Sequence, residues 1–197
     1  MPARTVDFYF DFGSPAAYLA WTQLPQLCAD AGAELVYRPM LLGGVFQATG
    51  NHSPAEIKPK GRYMNTDLQR FARRYGVPFV HNPHFPVNTL LLMRGATGMQ
   101  MHRSALFLDY CRAIHDAMWV SPRNLNDPAE VGAVLQSAGF DPAEVLALAG
   151  RQDVKDQLKA ATTEAVSRGV FGAPTMFVGD AMFWGQDRLD FVREALG

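Results

Sequence analysis

The chain contains 197 residues with a formal net charge of −1, and 48% of its residues are hydrophobic. A chain of this length can bury a core of its own, so we expect one domain. The near-neutral charge excludes a basic surface that would follow a phosphate backbone, and we expect no nucleic-acid partner. No apolar run reaches the roughly 20 residues that cross a bilayer, and no signal segment is recognisable, so we expect no membrane segment and a cytoplasmic protein.

The first two predicted elements are a strand and a helix. Apolar side chains recur at every second position over residues 6–12, which predicts a strand with one apolar face: Val6, Phe8, Phe10 and Phe12. Ser14 is a good N-cap and Pro15 suits the first helical position, which predicts a helix from about Pro15 to Asp30 that ends near Gly32. The segment "AELVYRP" predicts a second strand, parallel to the first because a helix connects them.

The middle of the chain is predicted to be helical. Four residues fall at helical spacing and predict an amphipathic helix that stops at Gly76: Leu68, Phe71, Ala72 and Tyr75. Three further segments place a cap, a proline and an acid at the spacing of a helix start. They predict capping boxes at residues 53–56, 127–130 and 141–144.

The last part of the chain returns to strands after a helix that is predicted to end near Gly169. The runs "TMFV" and "AMFW" flank Gly179-Asp180, which predicts a hairpin, and "DRLDFVREAL" predicts a closing helix. The order βαβ, helices, ββα predicts an α/β thioredoxin-like fold with an inserted all-helical subdomain. The core would comprise about residues 1–45 and 170–197, and the insertion about residues 46–169.

Neither the cysteines nor the histidines form a site motif. Cys28 and Cys111 are far apart in the sequence, and we expect both to be buried as small apolar residues, not paired in a disulfide. His52, His81 and His84 lack the spacing of metal ligands, so we expect exposed loop histidines and no metal site.

The turn at Ser14 lacks the thiols of a redox thioredoxin. Redox members carry Cys-x-x-Cys here because the helix N-terminus stabilises a thiolate. This chain has Ser-Pro-Ala-Ala over residues 14–17, which excludes disulfide exchange at this site. The free N–H groups and the Ser14 hydroxyl can still donate to an anion, such as the thiolate of a bound small molecule. Two interpretations stay open: Ser14 is only an N-cap, or it also stabilises a thiolate.

Pro174 comes directly before the first strand of the predicted hairpin. In the thioredoxin fold the equivalent proline is cis, and the residue before it presents its backbone to an extended peptide. That interpretation makes Ala173 a backbone partner of the ligand. The alternative is a proline that starts a strand at the edge of a sheet.

Five segments, in order along the chain, resemble one known family: "DFYFDFGSPAAYLA", "GGVFQATGN", "KGRYMNTDLQRFARRYGVP", "VFGAPTMFVGD" and "FWGQDRL". They are similar to the 2-hydroxychromene-2-carboxylate isomerase family, a relative of the kappa-class glutathione transferases, and the similarity covers nearly the whole chain. The resemblance implies a thioredoxin fold with a DsbA-like helical insertion, glutathione as the cofactor, and a homodimer.

The resemblance also implies roles for residues around the first turn and the cis-proline. The family's serine, which hydrogen-bonds the glutathione sulfur, falls on Ser14. The residue that pairs with the cysteinyl backbone falls on Ala173, before Pro174.

Four more residues are implied at the two ends of glutathione. Gln186 and Asp187 would hold the γ-glutamyl end, although Asp187 could equally cap the last helix. The family's loop asparagine and downstream lysine fall on Asn51 and Lys60, and Lys60 would meet the glycyl carboxylate.

The chain departs from the family's pattern in two places. Ala16 and Ala17 stand where relatives have an aromatic residue or a serine, which would widen the mouth of the site. The loop "VFQATGNHSP" lacks the basic residues of members that degrade naphthalene. Phe46 and His52 in this loop, together with Phe85, are the candidates for contact with the substrate.

The carboxylate of the substrate therefore needs another partner, and Arg62, Arg94 and His84 are candidates. Four aromatic residues permit an aromatic substrate but suit an ordinary core equally well: Phe46, Phe85, Trp119 and Trp184.

The resemblance implies an isomerase that interconverts 2-hydroxychromene-2-carboxylate and trans-o-hydroxybenzylidenepyruvate by reversible addition of the glutathione thiolate. Ser14 would stabilise the thiolate and not act as the nucleophile, because no histidine is placed in the sequence to activate it. One alternative is a kappa-type glutathione transferase or peroxidase that acts on another electrophile. Another is a non-catalytic peptide-binding module that uses the cis-proline edge.

Overall fold

The computed structural model describes residues 4–197 and begins with the predicted βαβ unit. Strand β1 (Thr5–Phe10) leads into helix α1 (Pro15–Asp30), and strand β2 (Glu34–Pro39) follows. β1 and β2 pair in parallel, with Thr5 opposite Glu34. The limits of α1 and the parallel pairing are as the sequence predicts.

The sheet has four strands in the order β2-β1-β3-β4. Strand β3 (Thr175–Val178) is antiparallel to β1, and strand β4 (Ala181–Trp184) forms the predicted hairpin with β3. The mixed sheet and the helix-rich connection between β2 and β3 agree with the predicted thioredoxin-like fold with a helical insertion.

The chain between β2 and β3 is largely helical, and one more helix follows β4. The helices are α2 (Leu42–Thr49), α3 (Lys58–Tyr75), α4 (Leu90–His102), α5 (Phe107–Trp119), α6 (Pro128–Ser137), α7 (Pro142–Gly150), α8 (Gln152–Ser167) and α9 (Leu189–Leu196). Short 3-10 turns cover Pro54–Glu56, Ser104–Leu106 and Gln186–Arg188. Over residues 4–197, no helix combines the length and the apolar character needed to span a membrane.

The first strand is shorter than its hydrophobic pattern predicts. β1 ends at Phe10, because the Asp11 carboxylate turns back and accepts a 2.8 Å hydrogen bond from the Gly13 N–H. Phe12 nevertheless remains fully buried. Val6, Phe8 and Phe10 are fully buried, as the predicted apolar face requires, and Tyr9 on the other face of β1 is fully buried too.

The three predicted capping boxes are only partly formed. Asp127 and Asp141 cap α6 and α7 through hydrogen bonds of 2.9 Å from N–H groups of the first turn. The acids three positions later, Glu130 and Glu144, pair with arginines and do not return to the N-cap. Ser53 caps a 3-10 turn, whereas α3 starts later without a side-chain cap.

Both cysteines are buried in the main core, as predicted. Cys28 is 2% exposed and Cys111 is fully buried. Burial raises the pKa of the Cys28 thiol to about 11 and raises that of Cys111 well above its ordinary value. Both thiols therefore stay protonated at neutral pH.

Candidate active site

Ser14 caps α1 and also contacts a distant segment. Its Oγ accepts a 3.1 Å hydrogen bond from the Ala17 N–H, which confirms the predicted N-cap. The same hydroxyl donates to the Ala173 carbonyl oxygen at 2.8 Å, across 159 positions of sequence. Ser14 is only 6% exposed, and its two hydrogen bonds fix the position of its hydroxyl.

The peptide bond between Ala173 and Pro174 is cis, as predicted. The Ala173 N–H and the Ala16 N–H, in the first turn of α1, have no hydrogen-bond acceptor within residues 4–197. Two free donors therefore accompany the Ser14 hydroxyl at the positive end of α1. A site of this kind favours an anion.

Asp11 is a buried carboxylate that the sequence analysis treated only as part of a strand. It is 1% exposed and accepts hydrogen bonds of 2.8 Å from the N–H groups of Gly13 and Leu42. Burial raises its pKa, and these two donors, together with the nearby Thr89 side chain, oppose that rise. The local Asp-x-Gly pattern is typical of an Asx turn and was the available signal.

The turn after β4 joins the cis-proline directly. The Gly185 N–H donates to the Pro174 carbonyl at 3.1 Å, and the Tyr75 hydroxyl donates to the Gln186 carbonyl at 2.6 Å. Burial, followed by the nearby Asp187 and Asp190 charges, raises the pKa of Tyr75 to about 12. Tyr75 is therefore a fixed hydrogen-bond donor to this turn.

Asp187 lies beside this turn and is partly exposed. Gly185 has φ +105°, and a Cβ there would lie 2.5 Å from Asp187 Oδ1, so the turn requires glycine. The Asp187 carboxylate pairs with Arg188 at 2.5 Å, with 38% of its side chain exposed. Helix α9 has no side-chain cap, so the alternative role of Asp187 as its cap is wrong.

Asn51 and Lys60 have different environments. The Asn51 Nδ2 donates to the Phe171 carbonyl at 2.8 Å, two residues before Ala173. Lys60 is exposed in the first turn of α3. It lines a shallow depression of about 350 Å³ together with Pro54, Pro59, Tyr63 and Met64.

The three substrate candidates lie on different segments of the chain. Phe46 is half-buried in α2, and His52 is exposed, 3.9 Å from Glu56. Phe85 packs against Trp119, with ring centroids 6.2 Å apart. Within residues 4–197, no hydrogen bond or aromatic contact joins these three residues to Ser14.

Of the candidate partners for a carboxylate, Arg62 is exposed on α3 and Arg94 is half-buried on α4. His84 lines a second depression, of about 330 Å³, with Asp127 and Glu130 among its walls. Arg123 lines it too, but its guanidinium is already paired with Glu130 at 2.6 Å, which leaves the Asp127 charge to oppose a carboxylate there. Within residues 4–197, no cluster of three or more possible metal ligands exists.

An aromatic pair lies beside the cis-proline loop. The rings of Phe171 and Trp184 are 5.1 Å apart, and Trp184 is 46% exposed. A Cβ at Gly172 would lie 2.6 Å from Trp184 Nε1, so the indole rests directly on the loop. Trp119, in contrast, is a fully buried core residue that donates to the Phe12 carbonyl.

The fold, the N-capping serine and the cis-proline define a thioredoxin-class protein of the DsbA-like type. A family model described as "DSBA-like thioredoxin domain" matches residues 5–197. A 2-hydroxychromene-2-carboxylate isomerase from Sphingobium xenophagum is 34% identical, over 98% of this chain and 98% of its own. The chain therefore belongs to the DsbA-like thioredoxin family and, within it, to the 2-hydroxychromene-2-carboxylate isomerase family.

Two further comparisons agree with this placement. A solved structure of a 2-hydroxychromene-2-carboxylate isomerase has a TM-score of 0.85 and 33% identity, covering 98% of this chain and 94% of that one. Glutathione S-transferase kappa 1 from Homo sapiens is 27% identical, over 98% of this chain and 91% of its own. The predicted resemblance to both groups is thus confirmed.

Proposed function

We propose that the protein is a glutathione-dependent isomerase that interconverts 2-hydroxychromene-2-carboxylate and trans-o-hydroxybenzylidenepyruvate. The observation that carries the proposal is the meeting of the Ser14 hydroxyl with the cis Ala173–Pro174 segment at the N-terminus of α1. The names of its relatives supply the substrate and the tripeptide.

The residues at this site fit glutathione in their chemistry. The chain has no thiol over residues 14–17 but keeps the helix N-terminus that favours a thiolate, so the thiol would come from a bound molecule. The unpaired Ala173 N–H is suited to pairing with an extended peptide. The residues that would hold glutathione are Ser14, Asn51, Lys60, Ala173, Pro174, Gln186 and Asp187.

Bound glutathione would supply a thiolate whose reversible addition to a conjugated carbon allows rotation about the former double bond. The protein's part is to lower the pKa of that thiol through the α1 N-terminus and the free Ala16 N–H. Ser14 has one hydroxyl hydrogen, which Ala173 now accepts. A thiolate would compete for that hydrogen, so Ser14 can serve the ligand only by rotating its hydroxyl.

The substrate side of the site is the less defined one. Phe46, His52 and Phe85 remain candidates, and the exposed Phe171–Trp184 pair adds an aromatic surface next to Ala173. A small aromatic carboxylate could pack its ring against such a surface.

The proposal is tested first by titrating glutathione into the protein by calorimetry and then by following conversion of the carboxylate substrate by absorbance. We expect both binding and turnover. Binding with conjugation of other electrophiles, but without isomerisation, would favour the kappa-type transferase or peroxidase. A protein that binds extended peptides but not glutathione would be the peptide-binding module instead.

A second experiment separates the two roles of Ser14. Ser14→Ala should cost about 1 kcal/mol of unfolding free energy through the lost cap, and it should raise the thiol pKa of bound glutathione. Thiolate absorbance against pH measures that pKa. Asp141→Ala is the matched control, because it removes the cap of α7 and should leave the thiol pKa unchanged. Coincident curves for Ser14→Ala and the parent would leave Ser14 as a cap alone.

We also expect a homodimer and a cytoplasmic location, and both stay predictions. Light scattering of the purified protein measures the first directly, with a dimer as the expected result.

A further inference from the structure

One carboxylate connects three helix N-termini. The Asp11 side chain accepts from the Gly13 N–H, directly before the N-cap of α1, and from the Leu42 N–H, at the first residue of α2. The side chain of Thr89, the N-cap residue of α4, lies beside the same carboxylate and opposes the rise of its pKa. The three segments are distant in the sequence and meet only in the fold.

Helix α2 has no N-cap side chain of its own, because its N-cap residue is Leu41, whose side chain offers no acceptor. In α4 the Thr89 side chain makes no capping hydrogen bond, and the Asn88 side chain accepts from the Leu90 N–H instead. Asp11 therefore takes the place of the missing cap for α2 and lies beside the start of α4, while it also shapes the turn before Ser14.

The position of Asp11 bears on charge at the Ser14 site. Within residues 4–197, no charged side chain forms an ion pair with Asp11, so only neutral donors stabilise its negative charge. One of those donors belongs to Gly13, the neighbour of Ser14. A negative charge on Asp11 and one at the Ser14 hydroxyl position would therefore draw on the same helix N-terminus and repel each other in a buried, weakly polar setting.

We propose that Asp11 is a positioning residue of the Ser14 site, which fixes the N-terminus of α1 against α2 and α4 and disfavours negative charge on the group held there. Its meaning for catalysis rests on the proposed function, because the group in question would be the glutathione thiolate. The charge effect itself can be measured without glutathione.

The test uses the Ser14→Cys variant, which places a thiol at the N-terminus of α1. Thiolate absorbance against pH then reports that thiol, because burial keeps the pKa of Cys28 at about 11 and that of Cys111 well above its ordinary value. Adding Asp11→Asn should lower the pKa of the introduced thiol by about one unit, since a nearby negative charge is removed. A purely structural role predicts the opposite sign, because a distorted turn weakens the helix N-terminus as a thiolate site.

A second pair of variants keeps the test valid if Asp11→Asn fails to fold. Asp11→Ser, in the Ser14→Cys background, also removes the charge while keeping a side-chain oxygen that can accept from the Gly13 N–H, and it should lower the thiol pKa as well. Thr97→Val is the matched control: it removes a buried hydroxyl from α4, one that donates to the Met93 carbonyl at 2.9 Å. A thiol pKa that is unchanged or raised in the folded Asp11 variants overturns the proposal, as does an equal shift in the Thr97 control.

The same Asp11→Asn change, with Ser14 restored, is then examined with saturating glutathione. A lowered pKa of the bound thiol supports both inferences. If the wild-type protein binds no glutathione while the Ser14→Cys series shifts as expected, the proposed function fails and the role of Asp11 stands.

Discussion

The two ends of the proposed glutathione site are held in different ways. At one end, Ser14 is hydrogen-bonded to Ala173, and Tyr75 fixes the Gln186 turn. At the other end, Lys60 is an exposed side chain on the first turn of α3. The first end is built by contacts between segments more than 100 positions apart, whereas the second depends on a side chain with free rotamers.

This difference indicates where binding energy would come from. A preorganised end loses little conformational freedom when a ligand binds, whereas an exposed lysine gives up rotamer entropy and competes with water. Changes that disturb the preorganised end should therefore have larger effects than changes at Lys60. Four experiments follow, from the largest expected effect to the smallest.

The unfolding free energy should fall in acid because of a buried histidine that packs against α1. His115, on α5, is fully buried, and neither ring nitrogen has a hydrogen-bond partner within residues 4–197. Its ring lies 4.9 Å from those of Phe12 and Trp21, and burial lowers its pKa to about 3. Because the unfolded chain takes up this proton below about pH 6.5, the unfolding free energy should fall by about 2.5 kcal/mol between pH 6.5 and 4.5.

Urea unfolding at several pH values measures this loss. His115→Leu should remove most of the pH dependence in that window, while His52→Gln, at an exposed loop position, should keep it. If the parent and His115→Leu lose the same free energy, the acid sensitivity arises elsewhere.

Tyr75→Phe removes only a hydroxyl and keeps the ring, and it should loosen the preorganised end of the site at the Gln186 turn. The change leaves the Gln186 carbonyl without its 2.6 Å donor, so we expect about 1 kcal/mol lower unfolding free energy and about tenfold weaker glutathione binding. Calorimetry measures the affinity. Tyr110→Phe, which removes a buried hydroxyl from the Leu92 carbonyl, should lower stability and spare binding. Equal losses of affinity in both variants would contradict a specific role for Tyr75.

Asn51→Ala should have an intermediate effect. The lost hydrogen bond to the Phe171 carbonyl frees the loop that leads to Ala173, and we expect about threefold weaker glutathione binding. Asn126→Ala is the comparison, because its side chain donates to the Pro86 carbonyl and should not affect the ligand. An Asn51 effect larger than that of Tyr75→Phe would show that this loop is the main support of the site.

Lys60→Ala should have the smallest effect, about a twofold loss of affinity at moderate salt, since exposed ion pairs contribute little. The loss should shrink further as the salt concentration rises. Lys58→Ala, two positions earlier in the same turn, is the control. A loss above tenfold that is specific to Lys60 would reverse the comparison of the two ends.

The sequence predicted the features that depend on neighbouring residues. Ser14 and Pro15 start α1, and the helix before Gly76 ends there because Gly76 has φ +66°, which suits glycine. Such signals act within a few positions, so a single sequence contains all the information they need.

The features that depend on distant segments were missed. Asp11 looked like the polar position of an alternating strand, because its partners Leu42 and Thr89 are recognisable only once the chain has folded. Glu130 likewise fits a capping box in the sequence, but in the fold its carboxylate accepts from the charged Arg123 at 2.6 Å. The Ser14–Ala173 contact could be anticipated only through the family resemblance.

Trp184 gives the molecule a built-in optical probe. Of the three tryptophans, Trp119 is sealed in the core and Trp21 is half-buried, while Trp184 is 46% exposed and rests on the loop before Ala173. A ligand that contacts this loop should change the solvent around the Trp184 indole. Intrinsic fluorescence can therefore follow occupancy of the site in real time, with no label attached.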